Sequence, residues 1–281
     1  MKKILVTGAN GQLGSELAVL SSEYPQYEWI FADRNQVTLD NLDLLEVQLN
    51  EIQPEIILNC GAYTAVDKAE TEKELAFMVN HLAVELVAKY CAANNVKLIH
   101  VSTDYVFDGS SSIALDEKAE TNPINVYGES KRAGEIACLK EEPNSIIIRT
   151  SWVYSKFGNN FVKTMQRLMQ ERESVNVVND QIGSPTYAAD LAKAMIAIVE
   201  SPNWNPGIYN YSNEGEISWY EFALAIKEFG GYECNVGGIL SAAYPTPAKR
   251  PEFSLLDKKK IRKTYNLDVP DYKISLKKMF I

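Results

Sequence analysis

Histidine and paired cysteine are nearly missing from this 281-residue chain: only His81 and His100 occur, and Cys60, Cys91, Cys138 and Cys234 form no C-x-x-C pair. Donors so few and so scattered exclude a His/Cys zinc site. The cysteines lie mostly in apolar runs, as free core thiols do, which predicts a reducing compartment. Positive charge is also short, with 28 Lys plus Arg against 37 Asp plus Glu and a net charge of −9. That balance excludes the basic surface demanded by nucleic acid or an anionic membrane, so an anionic ligand must be met by local donors such as a helix N-terminus. Long apolar runs are lacking too. Met1-Lys2-Lys3 looks like a signal n-region, but the apolar stretch ends at Gly8; no signal or transmembrane segment is predicted, and the expected location is the cytoplasm. Repeats and low-complexity tracts are absent.

What is present is a folding composition, 46% hydrophobic and 23% charged, long enough for one large domain or two modest ones. Short β-branched runs recur at Ile4–Thr7, Trp29–Ala32, Ile56–Asn59, Leu98–Val101, Ile146–Arg149 and Val175–Val178. Helical patterns separate them, the clearest from Leu75 to Tyr90, ending at Asn94-Asn95. Parallel strands need crossovers that pack back on the sheet, so the predicted fold is α/β: a doubly wound parallel sheet covered by helices on both faces. After Arg149 the rhythm loosens, and Tyr244–Pro251 is too rich in proline for a helix interior or central strand. Ala188–Glu200 still reads as a sheet-covering helix and Ile208–Tyr211 as a strand. The predicted division is a dinucleotide-binding domain over 1–150 plus about 187–212, and a smaller mixed α/β substrate lobe over 151–186 and 213–281.

Gly8-Ala9-Asn10-Gly11-Gln12-Leu13-Gly14 follows the first strand and opens a helix with apolar Leu13, Leu17 and Leu20. Three glycines serve a tight turn, a close approach of backbone to a pyrophosphate, and close helix–strand packing, while the helix N-terminus supplies N–H donors. Without a following Gly-Lys-Ser/Thr the loop is not a P-loop. About twenty residues on stand Asp33 and Arg34. An acidic residue there holds adenosine ribose hydroxyls and an arginine accepts a 2′-phosphate, so Asp33 argues for NADH and Arg34 for NADPH. Two solvated loop charges are the plain alternative.

Tyr127 and Lys131 stand four residues apart, on one helix face. A phenol titrates near 10, and a neighbouring cation that stabilises the phenolate makes it useful in acid–base catalysis near neutrality. About one such pair is expected by chance in a chain of this composition, so context decides. Leu98–Val101 delivers Ser102-Thr103-Asp104 at a strand's carboxyl end, where open parallel sheets bind ligands. A hydroxyl there suits a substrate carbonyl; turn capping is the structural alternative.

Glycine loop, Ser-Thr at a strand end and Tyr-x-x-x-Lys, in that order, resemble the extended short-chain dehydrogenase/reductases, whose core is Rossmann-like. Ala62–Glu70, Ser102–Gly109, Asn125–Gly128, Arg149–Tyr154, Gly158–Phe161 and Tyr244–Pro251 resemble one branch, the dTDP-4-dehydrorhamnose reductase family, in order and spacing over essentially the whole chain. The resemblance implies NAD(P)H-dependent reduction of the 4-keto group of dTDP-4-dehydro-L-rhamnose to dTDP-L-rhamnose, the last step in making that sugar donor. It implies that Thr103 orients the keto oxygen, that Tyr127 donates the proton, and that Lys131 lowers the phenol pKa and holds the nicotinamide ribose. Asp104 and Trp152 match substrate-contacting positions, and Arg250 is a candidate for the substrate diphosphate, with a plain surface charge as its alternative. Gly8, Asn10, Gly11, Gln12, Leu13, Gly14, Asp33, Arg34, Asp40, Asn41, Ala62, Tyr63 and Thr64 match cofactor-facing segments, the cofactor being NADPH with NADH as the alternative.

The chain departs from the family in one respect. Some members dimerise through a magnesium site of glutamates; Glu16 matches the first, but Ala189 stands at the second and Phe280-Ile281 carries no acid. Neither magnesium nor that dimer is expected, and the expected state is a monomer or weak homodimer. Related dehydratases place Glu after the Thr-Asp pair as a second proton relay, whereas Tyr105 follows Asp104 here. Epimerisation, which uses the same groups without net consumption of cofactor, stays open. So does a non-catalytic nucleotide-binding role like that of the methionine adenosyltransferase regulatory subunit, which the branch also resembles.

Overall fold

The computed structural model describes residues 1–280; Ile281 lies outside the described residues. Strands β1 (Lys2–Thr7), β2 (Tyr27–Ala32), β3 (Ile56–Asn59), β4 (Lys97–Thr103), β5 (Ile146–Thr150) and β6 (Gly207–Asn210) form a six-stranded sheet in the order β6-β5-β4-β3-β1-β2. Every pairing in it is parallel. The order reverses between β1 and β3. In an open α/β sheet that reversal leaves a crevice at the carboxyl ends of the strands.

Side-chain alternation explains why both faces are covered. Ile4, Val6, Ile56, Leu58, Ile146 and Ile148 point to one face, where they meet Leu17 of the helix Gln12–Leu20 and Leu191, Met195 and Ile198 of the helix Ala188–Glu200. Leu5, Ile57, Leu98 and Ile147 point to the other, against Leu45 and Leu49 of the helix Leu42–Ile52 and Val84, Val87 and Cys91 of the helix Ala83–Asn94. Each fully buried Leu, Ile or Val contributes about 1.5–3 kcal/mol, which far exceeds what helix propensity alone supplies. The continuous helical stretch Lys73–Asn94 has the length and apolarity to cross a bilayer. Its apolar side is instead the sheet-facing side, and Asn95, at φ 55°, ends it in the left-handed region.

A third cluster, around Tyr154, Val162, Met165, Tyr187, Phe222, Ile226 and Leu276, forms a core of its own beside the carboxyl ends of the sheet. The run at Val175–Val178 is a strand, Ser174–Val178, but it does not join the central sheet; it pairs in parallel with Asn235–Ile239. Its alternating burial explains this, since only Val175 and Val177 are covered. The sixth strand of the central sheet is Gly207–Asn210. Near the C-terminus, Ile261, Tyr265 and Val269 return to the first core.

Candidate active site

The crevice at the reversal opens into a cleft of about 960 Å³, within the size range of ligand sites. The glycine loop forms one wall. A Cβ on Gly14 would strike Gly8 O and lie 2.7 Å from Ala9 Cα, and one on Gly8 would lie 2.7 Å from Gly61 Cα in the loop after β3. Only glycine lets the helix Gln12–Leu20 start this close to the strand ends. Its N-cap, Gly11, offers no side-chain hydrogen bond, so the first N–H groups stay open to an anion. Gln12 donates to Val153 O at 3.3 Å and accepts from Asn160 Nδ2 at 3.0 Å, tying this wall to the third cluster.

At the adenosine end the predicted residues part company. Arg34 lines the cleft, is largely exposed and pairs with Asp40, which lines it too. Asp33 lies off the main cleft: its Oδ1 accepts from the backbone N–H groups of Asn35 (2.9 Å) and Gln36 (3.2 Å), and its Oδ2 from Asn10 Nδ2 (3.4 Å). Asp33 and Asn10 border a separate shallow groove on the other side of the glycine loop. Asn41 caps the helix Leu42–Ile52, accepting from Leu44 N at 3.1 Å, and does not line the cleft. Of the two residues that competed for the ribose, the arginine is the one facing the ligand space.

Ala62, Tyr63 and Thr64 line the cleft after β3. Their loop is held by Asn80, whose Oδ1 accepts from Tyr63 N (2.9 Å) and whose Nδ2 donates to Tyr63 O (3.0 Å) and Ser130 Oγ (3.0 Å). Asn80 sits in a π-helical turn, Met78–Leu82, which interrupts the helical period and conceals its orientation from sequence patterning.

The helix Val126–Glu141 carries the phenol and the amine. Asn125 caps it, accepting from Gly128 N at 2.8 Å. A Cβ on Gly128 would collide with Tyr105 O, so glycine is what lets the helix lie against the turn after β4. A buried bidentate pair, Arg149 Nε and Nη2 to Glu135 at 2.8 and 2.7 Å, anchors the helix to β5. Removing one partner of such a pair costs about 3–5 kcal/mol.

Thr103, Asp104, Tyr127 and Lys131 all line the cleft floor. Thr103 Oγ1 donates to Asp104 Oδ1 at 3.0 Å and accepts from Tyr105 N at 3.2 Å. Burial pushes the Asp104 carboxyl up to about 6, and its Oδ2 is buried without a partner. The Tyr127 phenol is pushed up to about 12 by burial, with the Thr103 hydroxyl pulling the other way. Lys131 follows this phenol by one turn of the same helix. Lys131 Nζ is engaged elsewhere, donating to Val101 O at 2.7 Å, and burial brings its own pKa down to about 8.

The far wall is aromatic. Trp152, at φ 47°, is held in the left-handed region that a bulky residue rarely adopts, and it stacks on Trp219 at 3.8 Å between ring centroids. Trp219 lines the cleft and escaped sequence reasoning, because it lies far along the chain in the helix Trp219–Gly230 and belongs to no short motif. Arg250 does not line the cleft: it grips Asp67 through both carboxylate oxygens, at 2.6 and 2.7 Å.

The donors do not fit magnesium. Glu16 is buried and accepts from Ser155 Oγ at 2.6 Å, and among the described residues no three His, Cys, Asp or Glu side chains converge. A dinucleotide does fit: the glycine wall clears its path, an uncapped helix N-terminus faces it, and Arg34 stands at one end.

A family model described as the RmlD substrate binding domain matches residues 1–281. The dTDP-4-dehydrorhamnose reductase of Aggregatibacter actinomycetemcomitans is 41% identical over 287 residues, 99% of this chain and 98% of its own. The crystal structure of dTDP-4-dehydrorhamnose reductase from Bacillus anthracis in complex with NADP is 39% identical and superposes with a TM-score of 0.93, covering 100% of this chain and 99% of that one. The UDP-glucose 4-epimerase of Thermus thermophilus, in complex with NAD, shares the fold at a TM-score of 0.80 with 19% identity, covering 98% of this chain and 96% of its own.

Proposed function

The chain belongs to the RmlD substrate binding domain family, that of the dTDP-4-dehydrorhamnose reductases, and from that membership we propose how its cleft works. It is an NAD(P)H-dependent oxidoreductase of dTDP-rhamnose biosynthesis, reducing the 4-keto group of dTDP-4-dehydro-L-rhamnose to give dTDP-L-rhamnose, with NADPH as cofactor.

The observation that carries the residue assignments is the convergence of Thr103, Tyr127 and Lys131 on the floor of a glycine-walled cleft. NADPH, when bound, supplies the hydride. Gly8, Gly11, Gln12, Leu13 and Gly14 receive its pyrophosphate, Arg34 the adenosine 2′-phosphate, and Ala62–Thr64 the middle of the dinucleotide. Thr103 Oγ1 hydrogen-bonds the keto oxygen. Tyr127, kept protonated by burial, donates the proton as charge develops there. Lys131 matters at that moment, because its cation stabilises the phenolate left behind, and it also holds the nicotinamide ribose. Asp104, Trp152 and Trp219 shape the hexose subsite. The dinucleotide-binding unit comprises 1–150 with about 187–212, with Ile261, Tyr265 and Val269 packed into its core, the substrate lobe comprises the rest, and the protein works in the cytoplasm.

The test is consumption of reduced nicotinamide with dTDP-4-dehydro-L-rhamnose beside its uridine counterpart. Stoichiometric oxidation with the thymidine sugar is expected. Turnover of the sugar without net consumption would establish an epimerase, and no turnover of any keto sugar a nucleotide-binding partner protein.

A further inference from the structure

Behind Lys131 lies a buried polar chain that crosses three strands. Lys131 Nζ is 3.5 Å from His100 Nε2 on β4; His100 Nδ1 is 3.1 Å from Asn59 Nδ2 on β3; Asn59 Oδ1 accepts from Thr7 Oγ1 on β1 at 2.7 Å; and Thr7 Oγ1 accepts from Gly61 N at 3.1 Å. All four side chains are at most 2% exposed. Thr7 immediately precedes the glycine loop and Gly61 immediately precedes the cofactor-facing Ala62. The chain therefore joins the floor of the cleft to its dinucleotide wall.

We infer that His100 is a positioning residue for the reaction: its neutral imidazole accepts a hydrogen bond at Nε2 from the Lys131 ammonium, fixing that cation and sustaining its charge. Donor and acceptor arithmetic allows this as one of two patterns. A neutral imidazole carries one N–H. With Nε2 accepting from an ammonium, the ring proton is on Nδ1, and the Asn59 amide presents its oxygen to the ring and its nitrogen to Thr7 Oγ1, a hydroxyl able to donate or accept. With a neutral lysine the pattern reverses: Nε2–H donates to Nζ, Nδ1 accepts from Asn59 Nδ2, and Asn59 Oδ1 accepts from Thr7. A half-turn of the Asn59 amide interconverts the two arrangements: the distances above have the amide as in the second, and in the first the Thr7 hydroxyl accepts from both Asn59 Nδ2 and Gly61 N.

The surroundings keep the ring neutral, since burial and the neighbouring Lys131 cation both hold the His100 pKa well below its ordinary value. The other ionisable groups around Lys131 are Glu135 and Cys138 on its own helix and Cys60 just past β3, with Tyr127 one turn away. Burial pushes Cys60 up to about 12 and Cys138 up to about 11, so neither thiol supplies a counter-charge near neutrality. Glu135 is occupied by Arg149 and Arg132. His100 and Val101 O are then the acceptors left to the ammonium.

This inference rests on the role proposed above for Lys131, and its test separates the two. Because the chain has only two histidines, a nitrogen-15 imidazole spectrum of the NADPH-bound enzyme contains two rings, and His81→Gln identifies which is His100. A neutral Nδ1–H ring is expected at pH values below that at which Lys131 loses its proton. A neutral Nε2–H ring or an imidazolium under those conditions would overturn the inference, whatever the activity. In parallel, His100→Phe should move the alkaline limb of the kcat/KM profile down by about one pH unit, because the buried ammonium loses an acceptor, and His100→Gln, which restores an acceptor oxygen, should move it back. Unchanged limbs in both variants, or equal shifts in both, would also overturn it. If the Phe variant does not fold, the spectrum decides. Lys131→Met retaining full activity would instead sink the catalytic assignment of the lysine.

Discussion

Arg250 and Asp67, 183 positions apart in the chain, meet in a two-pronged ion pair that pins the proline-rich segment Tyr244–Pro251 to the short helix Val66–Ala69 beside the cleft. Asp67 Oδ1 also accepts from Ala248 N at 3.2 Å, and Asn125 Nδ2 donates to Lys249 O at 2.7 Å. The guanidinium is committed to the strap. Asp67→Asn and Arg250→Lys should therefore raise the KM for the nucleotide sugar to a similar, modest degree, and the double variant should be little worse than either. A loss with Arg250→Lys far beyond that with Asp67→Asn would show that the arginine touches the substrate diphosphate. Since Asp67 is substantially exposed, less than about 1 kcal/mol of stability should be lost.

Arg34 faces the cleft, whereas Asp33 is occupied by its own turn. Arg34→Ala should weaken NADPH binding about tenfold or more and NADH binding little, as measured by titration of each cofactor. Equal weakening would place the guanidinium away from the 2′-phosphate.

Lys131, brought down to about 8 by burial, must be charged to stabilise the phenolate, so kcat/KM should fall as pH rises through about 8. Lys131→Met should lower turnover and nicotinamide affinity together and abolish that limb. A limb that survives the substitution would belong to another group.

Asp104 is the group whose titration should register in stability. Its folded pKa of about 6 exceeds the ordinary aspartate value of 3.8, so its favourable contribution is complete below the unfolded value and is lost as pH rises through 6. Asp104→Asn should accordingly stabilise the unliganded protein more at pH 8 than at pH 5, by about 1 kcal/mol, in denaturant unfolding. Equal effects at both pH values would show that the carboxyl is not held near 6.

What the sequence made legible is what depends on neighbours along the chain. The glycine loop, the capped helix bearing Tyr127 and Lys131, and the five β-branched runs that became β1 to β5 announce themselves by local spacing. Val175–Val178 shows the limit, because its strand propensity is local while its partner, Asn235–Ile239, is chosen by packing. Trp219, Asn80 and His100 were invisible as site residues for the same reason: an indole contributed by a distant helix, an amide displaced by a π-turn and an imidazole under the cleft floor gain meaning only from what folding brings beside them. The phenol's raised pKa is likewise a property of burial, which a four-residue spacing does not encode.

The most direct test of the central claim is turnover of dTDP-4-dehydro-L-rhamnose by Tyr127→Phe with NADPH affinity measured in the same preparation. Removing the proton donor should cut kcat by about 10²–10⁴-fold while leaving the dissociation constant for NADPH nearly unchanged. Undiminished reduction by this variant would show that the proton comes from elsewhere.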